Sequence, residues 1–233
     1  MTSFQYDKQI TNNYPELCGC VIVARGMTNA PSPAALKDRY LAEQAAVKAR
    51  IGATPLSELP SLGAWRRAFS AFGVSPTKYR SAAEALLRRL TKKGDIPCIS
   101  ALVDIGNLVS IRYGLPVAIF DTRQIARPIT VHYSDGGELY TELASGEAMR
   151  PEAGEVVFSD ENKMVVARRW CWRQSATSAA SAGTTAAVIT VEAHHAGGRA
   201  DIEAAVADLL ALLNEFVGGS YESAVLDAGN PSV

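Results

Sequence analysis

The chain reads as an α+β domain with a mostly antiparallel, mixed β core flanked by helices. Three observations predict this. Helical periodicities fill the chain up to Tyr113, short turn-bounded strands follow beyond Pro116, and one more amphipathic helix comes near the end. At 233 residues, 48% apolar and 20% charged, the chain can bury a core of its own without disulfides or metals.

Taken in order, Val21 to Ala24 is a buried strand that stops at Arg25-Gly26. Pro31, Ser32 and Pro33 then set the start of a helix over Ala34 to Arg50. A second helix runs from about Leu62 to Ala71, with Trp65 and Phe69 four residues apart on its inner face. A third spans about Tyr79 to Lys93 and is closed by Gly94, and a fourth spans about Ser100 to Tyr113 and ends at Gly114. Strands are predicted at Val117 to Phe120, Ile129 to Tyr133, Glu138 to Thr141, Glu155 to Ser159, Met164 to Trp170 and Ala187 to Glu192. Ser175 to Thr185 is rich in small polar residues and reads as a mobile loop between two strands, and Arg199 to Phe216 as the last helix. Residues 1–217 are expected to form one domain, and 218–233 a disordered tail.

The composition narrows the function. A net charge of −1 argues against a wholesale polyanion binder, so nucleic acid would have to be held by a local patch. Candidate patches are Arg66-Arg67, the group Arg88, Arg89, Lys92 and Lys93, and the group Arg168, Arg169 and Arg173. The cysteines Cys18, Cys20, Cys98 and Cys171 show no zinc or disulfide spacing, and free thiols fit a reducing cytoplasm. The polar start, Met1 to Gln9, carries no signal peptide, and no apolar run is long enough to span a bilayer. His194-His195 on a strand would point to opposite faces, so no metal or other cofactor is expected. Gly-x-Ser-x-Gly and phosphate-loop motifs are absent.

Two segments carry unusual polar chemistry. Asp104, Asn107 and Ser110 recur every three residues inside an apolar helix. They are either the wall of a polar pocket or caps for neighbouring loops, because buried polar groups need partners. In Arg168-Arg169-Trp170-Cys171-Trp172-Arg173-Gln174-Ser175, a strand would place both tryptophans on one face. Such a face either stacks a base or aromatic ligand or packs into the core.

Taken together, the segments resemble a known family. They are Tyr79-Arg80-Ser81, Val103-Asp104-x-x-Asn107-x-Val109-Ser110, Leu115-Pro116-Val117-Ala118-x-Phe120-Asp121, Gly154-Glu155-Val156-Val157, Thr184-Thr185 and the strand ending at Glu192. Their order and spacing resemble the B3/B4 domain of the bacterial phenylalanyl-tRNA synthetase beta chain over about Tyr79 to Ala193, and the whole chain resembles the family's free-standing members. The resemblance implies an α+β fold and an editing activity: hydrolysis of the ester of a mischarged aminoacyl-tRNA, without a metal. For a deacylase of that kind, catalytic roles are expected for Asn107, Gln174 and Glu192. Tyr79, Arg80, Asp104, Ala118, Asp121, Trp170, Trp172, Arg173, Ser175 and Thr185 would contact the substrate, and Arg88, Arg89, Arg168 and Arg169 the RNA. The implied partners are tRNA or aminoacyl-tRNA and an amino acid-like molecule, with neither DNA nor membrane. Ala118 stands where the synthetase has a pocket histidine, and the bulky Arg168 to Ser175 run replaces its glycine-rich strand. The implied pocket is therefore rebuilt, either for another ester or for binding an amino acid-like molecule or RNA end without turnover. A third role, as an adaptor that keeps the fold for protein contacts, also fits.

Overall fold

A computed structural model describes residues 3–233. Its strands are β1 (Phe4–Tyr6), β2 (Cys18–Arg25), β3 (Val117–Asp121), β4 (Ile129–Tyr133), β5 (Leu139–Thr141), β6 (Ala148–Met149), β7 (Val156–Ser159), β8 (Met164–Arg168), β9 (Arg173–Gln174), β10 (Ala186–Ala193) and β11 (Ser220–Leu226). The helices are α1 (Lys8–Asn13), α2 (Ala34–Ile51), α3 (Pro60–Ala71), α4 (Ala82–Lys93), α5 (Ala101–Tyr113) and α6 (Gly198–Phe216).

The strands form two sheets. An antiparallel sheet has the order β11-β2-β10-β3, and a larger mixed sheet has the order β1-β4-β7-β8-β5-β6, with β9 paired to β8. In the mixed sheet β1 runs parallel to β4 and β5 parallel to β8. Mixed pairing follows from the chain path, because a parallel neighbour requires a long crossover rather than a hairpin.

Period-two alternation divides β10 and β3 between two cores. Ile189, Val191 and Ile119 face a core shared with α2, α5 and α6, while Val188 and Phe120 face a second core between the two sheets. That second core also takes Trp65 and Phe69 from α3, as their spacing predicts. Two helix starts follow their sequence signals. Pro60 opens α3 at a position where a missing N–H costs nothing, and Ser81 caps α4 by accepting from the Glu84 N–H. Gly94 closes α4 in the left-handed conformation.

Three expectations are corrected. Residues 220–226, expected in a disordered tail, form β11, which pairs with β2 from Ser220↔Arg25 to Leu226↔Gly19. It is an edge strand, held by its backbone and exposed over much of one side, so its composition resembles that of a tail. The Ser175 to Thr185 loop is tied down rather than free: Ser178 Oγ donates to Val166 O, and Thr184 Oγ1 donates to Asp121 at 2.6 Å. Finally, β8 ends at Arg168, because Arg169 and Trp170 both take left-handed backbone angles (φ 46° and 57°). For non-glycine residues this conformation costs roughly 1–2 kcal/mol each, and its consequences appear at the site.

Candidate functional site

The left-handed turn breaks the strand alternation, so Trp170 and Trp172 do not share a sheet face. Trp170 is fully buried between the sheets, and its indole Nε1 donates to Glu192 Oε1 at 3.0 Å. Trp172 stays partly exposed, edge-on to Tyr79 at 5.0 Å between ring centroids. Three interactions hold the turn: Arg169 N–H donates to Glu155 Oε1 at 3.0 Å, Trp170 N–H to Val156 O at 2.7 Å, and Ala82 N–H to Cys171 O at 2.8 Å. The last of these ties the start of α4 to the turn.

Glu192 lies near the end of β10, directly opposite Gly19 of β2. Its Oε1 receives a second hydrogen bond, 2.9 Å from the Tyr6 hydroxyl on β1. Gly19 is required there, because a Cβ at that position would overlap the tyrosine oxygen. Burial raises the Glu192 carboxyl to about 7, while the bonds from Trp170 and Tyr6 pull in the opposite direction. Oε2 accepts from no protein group among the described residues. His194, two positions on, packs edge-to-face against Trp65, Trp170 and Tyr14, and burial lowers its pKa to about 3. It is neutral and braces the Trp170 indole from behind.

Glu192 opens on a small cavity of about 70 Å³ between the sheets. Its other walls include Ala118 and Phe120 of β3, Thr190 of β10, Trp170, Cys171, Trp172, Arg173 and Gln174. Register explains the grouping, since Ala118 pairs with Thr190 and so shares the inner face with Glu192. The Gln174 amide nitrogen donates to Ile119 O and Ser178 O, both at 2.7 Å. Two carbonyl acceptors fix the amide orientation and leave Oε1 as a spare acceptor in the wall. Arg173 is half-exposed, paired to Glu142 at 2.8 Å and stacked on Trp172. Burial pushes the Cys171 thiol well up, away from the thiolate form that a nucleophile needs.

Of the residues singled out in the sequence, Glu192, Gln174, Ala118, Trp170, Trp172 and Arg173 therefore converge, with Tyr79 behind Trp172. The others do not. Asp104 caps the loop before α5, accepting from Ile99 N–H at 2.8 Å and Ser32 Oγ at 2.5 Å. Asn107 lies beside the Tyr40 hydroxyl, on the α2 side of α5 rather than in the cavity. Asp121 is held by Arg123 and Thr184, Ser175 is buried in a turn against Thr141 O, and Thr185 is exposed outside the cavity. Arg168 is buried in a two-bond ion pair with Glu155 (2.9 and 2.8 Å). Arg169 is buried as well, its guanidinium 3.9 Å above the Tyr79 ring, so neither is free to meet RNA. Arg80 pairs with Glu84 and Arg89 turns to Asp95, whereas Arg88 is exposed.

Two site residues escaped the sequence reading. Tyr6 sits in a short strand inside a polar start, with no local signal of its role. Gly19, between two cysteines on a predicted strand, did carry one, because an interior strand glycine often marks close approach by another group. No group of side chains that could hold a metal occurs among the described residues.

The family model described as "B3/4 domain" matches residues 64–208, a span that holds every wall residue of the cavity but neither Tyr6 nor Gly19. No curated protein matches the chain. Among solved structures, the chain is similar to an N-terminal fragment of the phenylalanyl-tRNA synthetase beta-subunit from Pyrococcus horikoshii, at 10% identity and a TM-score of 0.48. The alignment covers 95% of this chain and 50% of that fragment, so the chain spans half the fragment's length.

Proposed function

The chain belongs to the B3/4 domain family, and from that premise we propose that it hydrolyses the ester of a mischarged aminoacyl-tRNA carrying a small amino acid. The observation that carries this reading is Glu192, a buried carboxyl poised near 7 at the wall of a cavity, with Oε1 anchored and Oε2 unpartnered. A general base works best when its pKa lies near the working pH. Glu192 takes a proton from the water that attacks the acyl carbon, for which Gln174 Oε1 is the second acceptor, and returns it to the ribose oxygen as the ester C–O bond breaks. The walls set the size of the amino acid. A cavity of roughly 150 Å³ accepts benzene, and one of about 70 Å³ supports a small side chain as the one it holds.

The test is a panel of mischarged tRNAs, followed as release of free amino acid. At least one tRNA carrying a small amino acid should be deacylated. Glu192→Gln should slow that release by about 10²-fold or more, and the wild-type rate should rise with pH through about 7. A panel in which no tRNA loses its amino acid above buffer hydrolysis rejects the reading.

One observation favours a second reading, binding without turnover. Ala118 offers only a methyl group to the cavity, and no imidazole lines it. In that case a small amino acid quenches or enhances Trp170 and Trp172 fluorescence saturably, and no tRNA ester is cleaved.

A further inference from the structure

We propose that the groove between α3 and α4 is a phosphodiester-binding site that holds the 3′-terminal strand of an RNA on its way to the cavity. The inference rests on reading the cavity as an aminoacyl-ester site, and it assigns RNA contact to residues other than the buried Arg168 and Arg169.

The groove, of about 340 Å³, is lined by Arg66 of α3, by Arg80 just before α4, and by Glu84, Arg88 and Lys92 along α4. The α4 positions recur every four residues, so they form one stripe on one face of the helix. At about 1.5 Å per residue the helical part of the stripe, from Glu84 to Lys92, is about 12 Å long, and Arg80 extends it past the helix start. Arg66 reaches in from α3 to complete it. The groove has four cations and one carboxylate. That carboxylate, Glu84, is buried and already engaged, by Arg66 at 2.7 Å and Arg80 at 3.7 Å. It fixes both guanidinium groups in place without neutralising the groove. The exposed Arg88 and Lys92 have no acidic partner among the described residues. In a chain of net charge −1, this local surplus is not a reflection of basic composition. Fixed guanidinium groups suit the oxygens of phosphate, which they bind bidentately. Hydroxyls of Thr77 and Ser57 line the same groove.

Position links the groove to the cavity. Arg80 is two residues before Ala82, a separation of about 7 Å along an extended backbone. Ala82 lies in the cavity wall and bonds to Cys171. The stripe therefore starts beside the cavity and leads away from it.

The experiment measures the affinity of the full chain for an unacylated tRNA transcript by fluorescence anisotropy between 50 and 200 mM salt. Each single-strand phosphate contact contributes about 0.7 to the slope of log affinity against log salt. Arg88→Ala/Lys92→Ala should weaken binding at low salt about 10-fold or more and flatten that slope by about 1.4. Lys8→Ala/Lys37→Ala removes the same charge from other exposed positions and should leave both quantities unchanged. Equal affinity and slope in the Arg88/Lys92 variant, an equal loss in the Lys8/Lys37 variant, or no RNA binding by the wild type each overturn the groove. Amino-acid release is scored separately on the wild type. Groove-dependent RNA binding without any release rejects the cavity reading and leaves the groove standing.

Discussion

The Tyr6 hydroxyl and the Glu192 carboxylate meet at 2.9 Å, and this one hydrogen bond joins the first strand of the mixed sheet to the third strand of the antiparallel sheet. It anchors one oxygen of the carboxyl, leaves the other without a protein partner among the described residues, and depends on the glycine opposite.

Gly19→Ala tests that dependence. The added methyl overlaps the tyrosine oxygen and should break the bond, leaving Glu192 with the indole alone. A loss of about 1–3 kcal/mol is expected in urea unfolding. Because Tyr6→Phe deletes the same bond, the double variant should cost much less than the two losses added together. Additive losses would show that the glycine matters for another reason.

Stability should depend on the charge of Glu192 with a definite sign. Its folded pKa, about 7, lies above the ordinary 4.5, so its contribution is fully present below pH 4.5 and is lost as pH rises to 7. The shift corresponds to about 3 kcal/mol. Glu192→Gln keeps an acceptor for Tyr6 and Trp170 but cannot titrate. Its stability relative to wild type should therefore climb by about that amount between pH 4.5 and pH 8. A difference that does not vary with pH would contradict the burial argument.

His194 should act in the opposite direction. Its folded pKa of about 3 lies below the ordinary 6.5, so its contribution is present above pH 6.5 and is lost as pH falls toward 3. His194→Phe preserves the aromatic packing and removes the titration. Relative to wild type, it should gain stability progressively from pH 6.5 down to pH 4, as read by denaturation at each pH. A variant that tracks the wild type over that range would place the imidazole in contact with water.

Arg168 should prove structural rather than RNA-binding. Arg168→Met leaves Glu155 buried without its main partner, at a cost of about 3 kcal/mol, and Arg168→Met/Glu155→Gln, which removes the charge but keeps an acceptor for the Arg169 N–H, should recover most of it. The salt dependence of tRNA binding should be the same in the double variant as in wild type. A flatter slope would return Arg168 to the RNA contact set.

Local signals made much of this fold legible. Gly94 marked the end of α4, and the alternation from Ala187 to Glu192 marked β10 with its acidic end. Relationships carried by tertiary structure were not legible. Arg168 reads as an RNA contact in the sequence because its acidic partner sits on the connection before β7, and only pairing of β7 with β8 brings them together. The left-handed pair Arg169-Trp170 has no sequence signature, since side-chain bonds and not glycine hold it there. Asp104 was read either as pocket wall or as cap, and the packing of Ser32 against it decides for the cap.

The pairing of β2 has a consequence for how the chain is made. Both of its neighbours, β10 and β11, lie in the last quarter of the sequence. During synthesis Cys18–Arg25 must therefore wait unpaired, on the order of ten seconds or more at about 5–20 residues per second. This apolar segment, with both edges open, is exposed to aggregation over that interval, as unpaired apolar strands are.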